Sequence, residues 1–455
     1  MSLPRYAEYK DSGVEWLGEV PAHWRVYPLK RELDFLTSGS RGWAEHYADD
    51  GALFIRIGNL TRDSIHLDLT DIQRVAVPDG AEGERTKVQP GDILFSITAY
   101  LGSVAVAPDG LEPAFVSQHV ALARLRKGNM LPAWTAYVAL SWVGKTYLET
   151  QGYGGTKVQL SLDDVANLLL TVPPLHEQIA IAAFLDRETA KIDALMAEQD
   201  KLLTLLAEKR QATISQAVTT GLDPDVPMKD SGVEWLGEVP AHWKISRLKF
   251  VASVQTGVAK GKDYTGKNTT EVAYLRVANV QDGYLALDDI ATIVIPIEDL
   301  ARYRLQPGDV LMNEGGDFDK LGRGHIWNGE IEDCIHQNHV FAVRPRQVSS
   351  AWVNKITSSD YAQFYFMTRS KQSTNLASIS STNVMELPLL LPPEAEQEAI
   401  LMFVDAETAR LDALAAEAAR AIALLKERRS ALISAAVTGK IDVRNALQQQ
   451  EACHA

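Results

Sequence analysis

The chain has 455 residues, with 45 basic and 59 acidic side chains and a formal net charge of -14. That length accommodates two to four domains, and the acidity argues against a protein that simply coats nucleic acid, which would be basic. Nothing at the start reads as a signal peptide, no apolar run approaches the ~20 residues of a membrane span, and Cys334 and Cys453 are too few for a disulfide framework, so a cytoplasmic setting without a membrane is expected.

Residues 10–24 read KDSGVEWLGEVPAHW, and residues 229–243 read the same fifteen letters again. An identical run at domain spacing implies two copies of one unit and a pseudo-twofold axis. Such symmetry suits a target with a twofold axis of its own, and duplex DNA is the commonest. Trp16, Trp24, Trp235 and Trp243 are expected to pack this signature against helices. His23 and His242 lie between Ala and Trp and suit packing better than metal ligation.

The next stretch is rich in short strands. RIGNL at 56–60 answers RVANV at 276–280, QPGDIL at 89–94 answers QPGDVL at 306–311, and QHV at 118–120 answers NHV at 338–340. The Pro-Gly-Asp turns open strands, and helices are predicted around 133–149 and 351–369. Each globular part is therefore mixed α and β. Residues 25–170 carry 14 basic and 17 acidic groups, and residues 244–390 carry 16 of each, so most of the excess acidity lies elsewhere.

Between the shared anchors the copies differ, most of all at 37–50 against 256–270. One scaffold carrying two surfaces is the expectation. The candidates for touching DNA are basic, aromatic or hydroxyl residues in Gly-rich, divergent loops. They are Ser40, Arg41, Trp43, Tyr153 and Lys157 in the first copy, and Lys260, Lys262, Lys267 and Lys371 in the second. His119 and His339 recur at matching places, but neither has Cys or carboxylate neighbours at metal spacing.

Residues 176–218 and 394–438 contain no Gly and no Pro, and each run follows a Pro-Pro pair and ends near a glycine. This predicts two long helices, each a rod of roughly 60 Å. An apolar seam at heptad spacing runs through Leu185, Ile192, Leu195, Leu202 and Leu206, and through Val404, Leu411, Leu414, Ala421 and Leu425. The helices are expected to pair on this seam as an imperfect coiled coil. Chain direction makes such a pair antiparallel.

Catalytic motifs are missing. Neither Pro-Pro pair is preceded by the Asn or Asp of an adenine methyltransferase loop, and there is no G-x-G-x-x-G. GKDYTGKN at 261–268 has the glycine and lysine spacing of a phosphate loop, but Asn268 stands where Ser or Thr must hold magnesium. A backbone-contacting loop is the better reading.

The order of signature, variable domain, VPPLHEQ (172–178) and long helix, then signature, variable domain, LPPEAEQ (391–397) and long helix, resembles the specificity subunits of type I restriction–modification systems. The likeness covers nearly the whole chain. It implies an α+β protein with two mixed α/β target recognition domains, separated by two long antiparallel helices that form a coiled-coil-like spacer. The expected division is signature 1–24, first recognition domain 25–175, first helix 176–220, linker and repeated signature 221–243, second recognition domain 244–393, second helix 394–440 and a flexible tail 441–455. The family implies a non-catalytic subunit whose domains each read half of a split, asymmetric site in double-stranded DNA. Its helices set the gap and hold two modification subunits, which bind S-adenosylmethionine; restriction subunits join in the full complex. No cofactor or metal is expected on this chain. A scaffold that bridges proteins without reading sequence is the alternative.

Overall fold

The computed structural model describes residues 3–39, 41–77, 81–154, 158–316, 321–372 and 377–444, the side chains of 81 and 82 excepted. The chain forms two compact units. Unit 1 comprises residues 1–199 and 420–455; unit 2 comprises residues 200–419. The boundaries cut through both long helices, so each unit is assembled from the signature, a variable domain, the beginning of one helix and the end of the other. Among the described residues, no helix is long and apolar enough to cross a membrane.

In unit 1 the signature folds as an antiparallel hairpin, Tyr9–Asp11 with Glu19–Pro21. Strand Arg25–Pro28 then pairs antiparallel with Leu169–Val172, so the variable domain leaves and re-enters the scaffold at one place. Inside it, an antiparallel sheet runs in the order Leu33–Ser38, Val120–Leu125, Ile93–Ser96, Val104–Val106. A second sheet sets Ala114–Val116 parallel to Ala52–Ile55. The predicted helical stretch is two helices, Pro132–Leu140 and Trp142–Gln151, broken at Ser141, whose hydroxyl accepts from the Gly144 amide and caps the second. The core gathers Trp24 and Trp134 edge to face at 5.6 Å, and Ile433, Ala436 and Val437 from the second long helix join it.

Unit 2 is built from corresponding pieces. Its hairpin is Met228–Asp230 with Glu238–Pro240, and its entry strands are Lys244–Arg247 and Pro388–Leu391. The antiparallel sheet runs Ala252–Thr256, Val340–Pro345, Val310–Asn313, Gly324–Ile326. Trp243 meets Trp352 edge to face at 6.4 Å, and Ile214, Ala217 and Val218 from the first long helix complete the core. Trp16, expected to pack, is instead exposed, whereas Trp235 lies against Phe364 and Tyr365.

The long helices span Leu175–Thr220 and Glu394–Val437. Each leaves through a glycine with positive φ, Gly221 at +76° and Gly439 at +70°. In unit 1, residues near 181–185 share a core with residues near 433–437, while Asp193 meets Arg429 at 3.0 Å; the two segments therefore run antiparallel. In unit 2, residues 214–218 share a core with Ile400 and Val404, while Arg210 meets Asp412 at 3.0 Å, again antiparallel.

The seam needs a correction. Leu185, Ile192, Leu206, Val404 and Leu411 are buried and Leu425 is half-buried, but Leu195, Leu202 and Leu414 are exposed. The covered stripe in the first helix instead steps through Leu185, Thr189, Ile192, Met196, Gln199, Leu203 and Leu206. Heptad spacing holds, but the second position of each heptad lies four residues after the first, not three. Both alternatives satisfy the helical period; which flank of the 185/192 ridge is covered depends on where the neighbouring elements lie. The tail also starts later than expected. Val443 is fully buried in the core of unit 1, because Ile441 to Arg444 fold back on the signature, and residues 445–455 lie outside the described residues.

One buried group makes unit 2 sensitive to acid. His336 is completely buried; its Nδ1–H donates to the Val340 carbonyl at 2.8 Å, and Nε2 has no partner among the described residues. Burial holds its pKa below the ordinary value of 6.5, with Asp309 opposing the shift and Arg344 adding to it. A depressed folded-state value means that stability is complete above about pH 6.5 and is lost as pH falls through the folded pKa. The corresponding residue of unit 1 is Val116. Thermal unfolding of His336→Val should therefore lose less stability between pH 7 and 5 than the wild-type chain. Equal slopes would reject this role.

Candidate nucleic-acid interface

The repeated motifs are chiefly scaffold. In each Q-P-G-D turn the aspartate accepts from the glutamine amide three residues back, Asp92 from Gln89 and Asp309 from Gln306. It also receives a two-pronged bond from an arginine, Arg124 or Arg344. Both aspartates are buried, and these bonds raise the pKa of each guanidinium. Asn59 and Asn279 are buried too; each side-chain amide donates to two loop carbonyls. These polar groups fix loop geometry at interior sites where an unpaired group would be costly.

The divergent loops come together over this frame. In unit 1 the turn carrying Gln118 and His119 lies where the end of strand Ile93–Ser96 meets the loop after strand Leu33–Ser38. The Ile97 amide donates to the His119 carbonyl at 3.0 Å. Gly39 passes so close that a Cβ there would lie 2.0 Å from the Val116 carbonyl oxygen, so only glycine fits. Thr98 bridges to Gln159, and Gln159 bridges to Tyr153. A cleft of about 470 Å³ results, lined by Arg41, Thr98, Gln118, His119 and Gln159 among others. A second cleft of about 240 Å³ shares Gln118 and His119 and adds Arg56 and Tyr47.

Unit 2 repeats the backbone and changes the side chains. The Glu314 amide donates to the His339 carbonyl at 2.9 Å, and a Cβ on Gly257 would lie 2.0 Å from the His336 carbonyl oxygen. Gly315–Gly316 pairs with Ala377–Ser378, which pairs with Lys371–Gln372. Lys371 opposite Ser378 therefore matches Tyr153 opposite Gln159. The Glu314 carboxylate lies 2.8 Å from His339 Nδ1. Sequence comparison missed that Gly39 and Gly257 correspond; the signal was a Ser-Gly or Thr-Gly step at the end of each strand.

The sequence candidates fall as follows. Arg41 lines the cleft of unit 1 and Tyr153, half exposed, stands on its ribbon. Trp43 lines the second cleft but is otherwise enclosed. It is 4% exposed and lies against Phe54 and Phe115, because a large ring beside a Gly-rich turn gains more by covering the sheet than by standing in water. Ser40 and Lys157 lie outside the described residues. Lys260 is exposed with its ammonium 5.6 Å from the Tyr274 ring centre. Lys262 and Lys267 are exposed on the following loop, and Lys267 approaches Glu298 at 3.8 Å. Lys371 joins the ribbon beside Glu314. The loop at 261–268 runs into strand Thr269–Leu275 and not into a helix, so it lacks the helix terminus on which a phosphate loop depends. Among the described residues, no group of three His, Cys, Asp or Glu side chains could hold a metal ion.

The arrangement offers amide, guanidinium, ammonium and aromatic groups on loops held by a rigid frame, the chemistry that reads base edges and phosphates. Residues 54–204 match the family model described as the type I restriction modification DNA specificity domain. The chain is 23% identical over 441 residues to the EcoKI specificity subunit of Escherichia coli strain K12, covering 93% of this chain and 90% of that one. It is likewise 23% identical over 434 residues to the StySPI specificity subunit of Salmonella potsdam, with the same coverage. Its fold matches a chain from a type I R-M system at a TM-score of 0.62 with 19% identity, covering 92% of this chain and 98% of that one. The HsdS subunit of Thermoanaerobacter tengcongensis matches at 0.50 with 16% identity and the same coverage. Over most of its length the chain is thus similar to specificity subunits of type I restriction–modification systems, and about a third of it matches their DNA specificity domain.

Proposed function

We propose that this chain gives a type I restriction–modification complex its DNA sequence specificity, each recognition domain reading one half of a split, asymmetric site. One observation carries the reading: equivalent backbone positions hold Ile97, Gln118, Gln159 and Tyr153 in unit 1 but Glu314, Asn338, Ser378 and Lys371 in unit 2. One frame with two different sets of side chains suits two different half-sites. The long helices set the gap and dock two modification subunits, which hold S-adenosylmethionine and methylate the target; restriction subunits join that core. The chain itself recognises and does not catalyse. The nearly neutral recognition domains suit a complex in which the modification subunits supply many of the phosphate contacts.

The test is to map methylated adenine across the genome of a methylation-free host expressing this chain with its modification subunit. One split asymmetric motif, lost when this chain is omitted, is the expected result. No methylation from a soluble, assembled complex would favour a protein-bridging scaffold.

A further inference from the structure

Glu314 is out of place on a surface that approaches nucleic acid. Its counterpart in unit 1, Ile97, is buried, and both make the same backbone bonds: an amide to the histidine carbonyl, and a carbonyl accepting from Leu160 in one case and from Ile379 in the other. A position that takes an apolar residue in one copy does not need a carboxylate for folding. Yet the Glu314 side chain is 27% exposed and that of its partner His339 is 56% exposed, so the pair faces solvent at the foot of the ribbon that carries Lys371.

Near phosphates a carboxylate is repelled. At base edges it has a use, since it only accepts hydrogen bonds. Cytosine offers the N4 amino donor in the major groove, whereas adenine places the N7 acceptor beside its N6 amino group and so suits an amide better. The His339 bond engages Oε2, and among the described residues Oε1 makes no second bond. His339 thus fixes the rotamer and leaves one acceptor to present.

Resting on the function proposed above, we infer that Glu314, positioned by His339, reads the exocyclic amino group of a cytosine in the half-site of the second recognition domain. Glu314→Gln adds a donor at the same place, and Glu314→Ile installs the residue that the first domain already accommodates. The experiment measures competition binding of the complex with its modification subunits on duplexes changed at one base pair at a time. With Glu314→Gln, discrimination should fall about 10- to 100-fold at a single cytosine position of one half-site, with adenine becoming the better base there and the other half-site unaffected. With Glu314→Ile, discrimination at that position should be lost without a new preference. Wild-type discrimination kept at every position in both variants, or discrimination lost across both half-sites, would overturn the inference. A wild-type complex that distinguishes no base pair at all would instead overturn the functional reading on which it rests.

Discussion

Exchange of residues 29–168 for the equivalent segment of a specificity subunit with another target should rewrite one half of the recognised site and leave the other half and the gap intact. The segment is bounded by Pro28 and Leu169, which face each other across the entry strands, so the graft enters and leaves at neighbouring points. Trp24, Glu177 and both long helices stay in place. Preference for the original half-site should fall at least about 100-fold, since each mismatched pair costs about 1–3 kcal/mol. Methylation mapping of the chimera reads the result. A motif altered in both halves would show that the domains do not read independently.

Loss of the carboxylate at Glu177 should strongly destabilise unit 1. Its side chain is 3% exposed. It accepts from Trp24 Nε1 at 3.1 Å, lies 2.7 Å from His23 Nε2, and meets Arg444 at 3.4 Å. Burial, helped by the Glu177 charge, also lifts the Tyr6 phenol well above its ordinary pKa. Glu177→Ala leaves a fully buried indole N–H without an acceptor and takes from Arg444 one of its two carboxylates. The expected cost is about 2–4 kcal/mol. The equivalent Glu396 holds His242 at 2.8 Å and Trp243 Nε1 at 3.0 Å but is 29% exposed. Water can replace part of what it supplies, and Glu396→Ala should cost about 1–2 kcal/mol. Denaturant unfolding of both variants measures the difference; equal losses would mean that burial of the carboxylate does not govern the clamp.

The same clamp explains why His23 and Trp24 were legible as packing residues and not as ligands. The signature repeats because its His-Trp pair must meet the glutamate of each P-P-x-x-E-Q segment, 153 residues further on for each tryptophan. That partnership spans a whole domain, and no local pattern reveals it. The loops of the candidate surface were legible only as regions. Divergence pointed to Arg41, Tyr153, Lys260 and Lys371, yet it also pointed to Trp43, which is buried, and it passed over Gln118, Gln159 and Glu314. Composition shows that a loop is polar, but the side that faces solvent is set by backbone contacts from strands far away in the chain.

Read alone, the sequence determined that the chain is a duplicated unit, that each copy is mixed α and β, where the long helices begin and end, and which family the order of motifs resembles. These properties are local: an exact repeat, a run without Gly or Pro, a turn before a strand. Only the tertiary structure decided which flank of each helix is covered, that Val443 belongs to the core of unit 1, and that Lys371 stands where Tyr153 stands in the other copy. It alone joined Glu314 to His339. Burial, ion pairing and loop register depend on partners tens to hundreds of residues away, and these partners are fixed only when the strands and helices have packed.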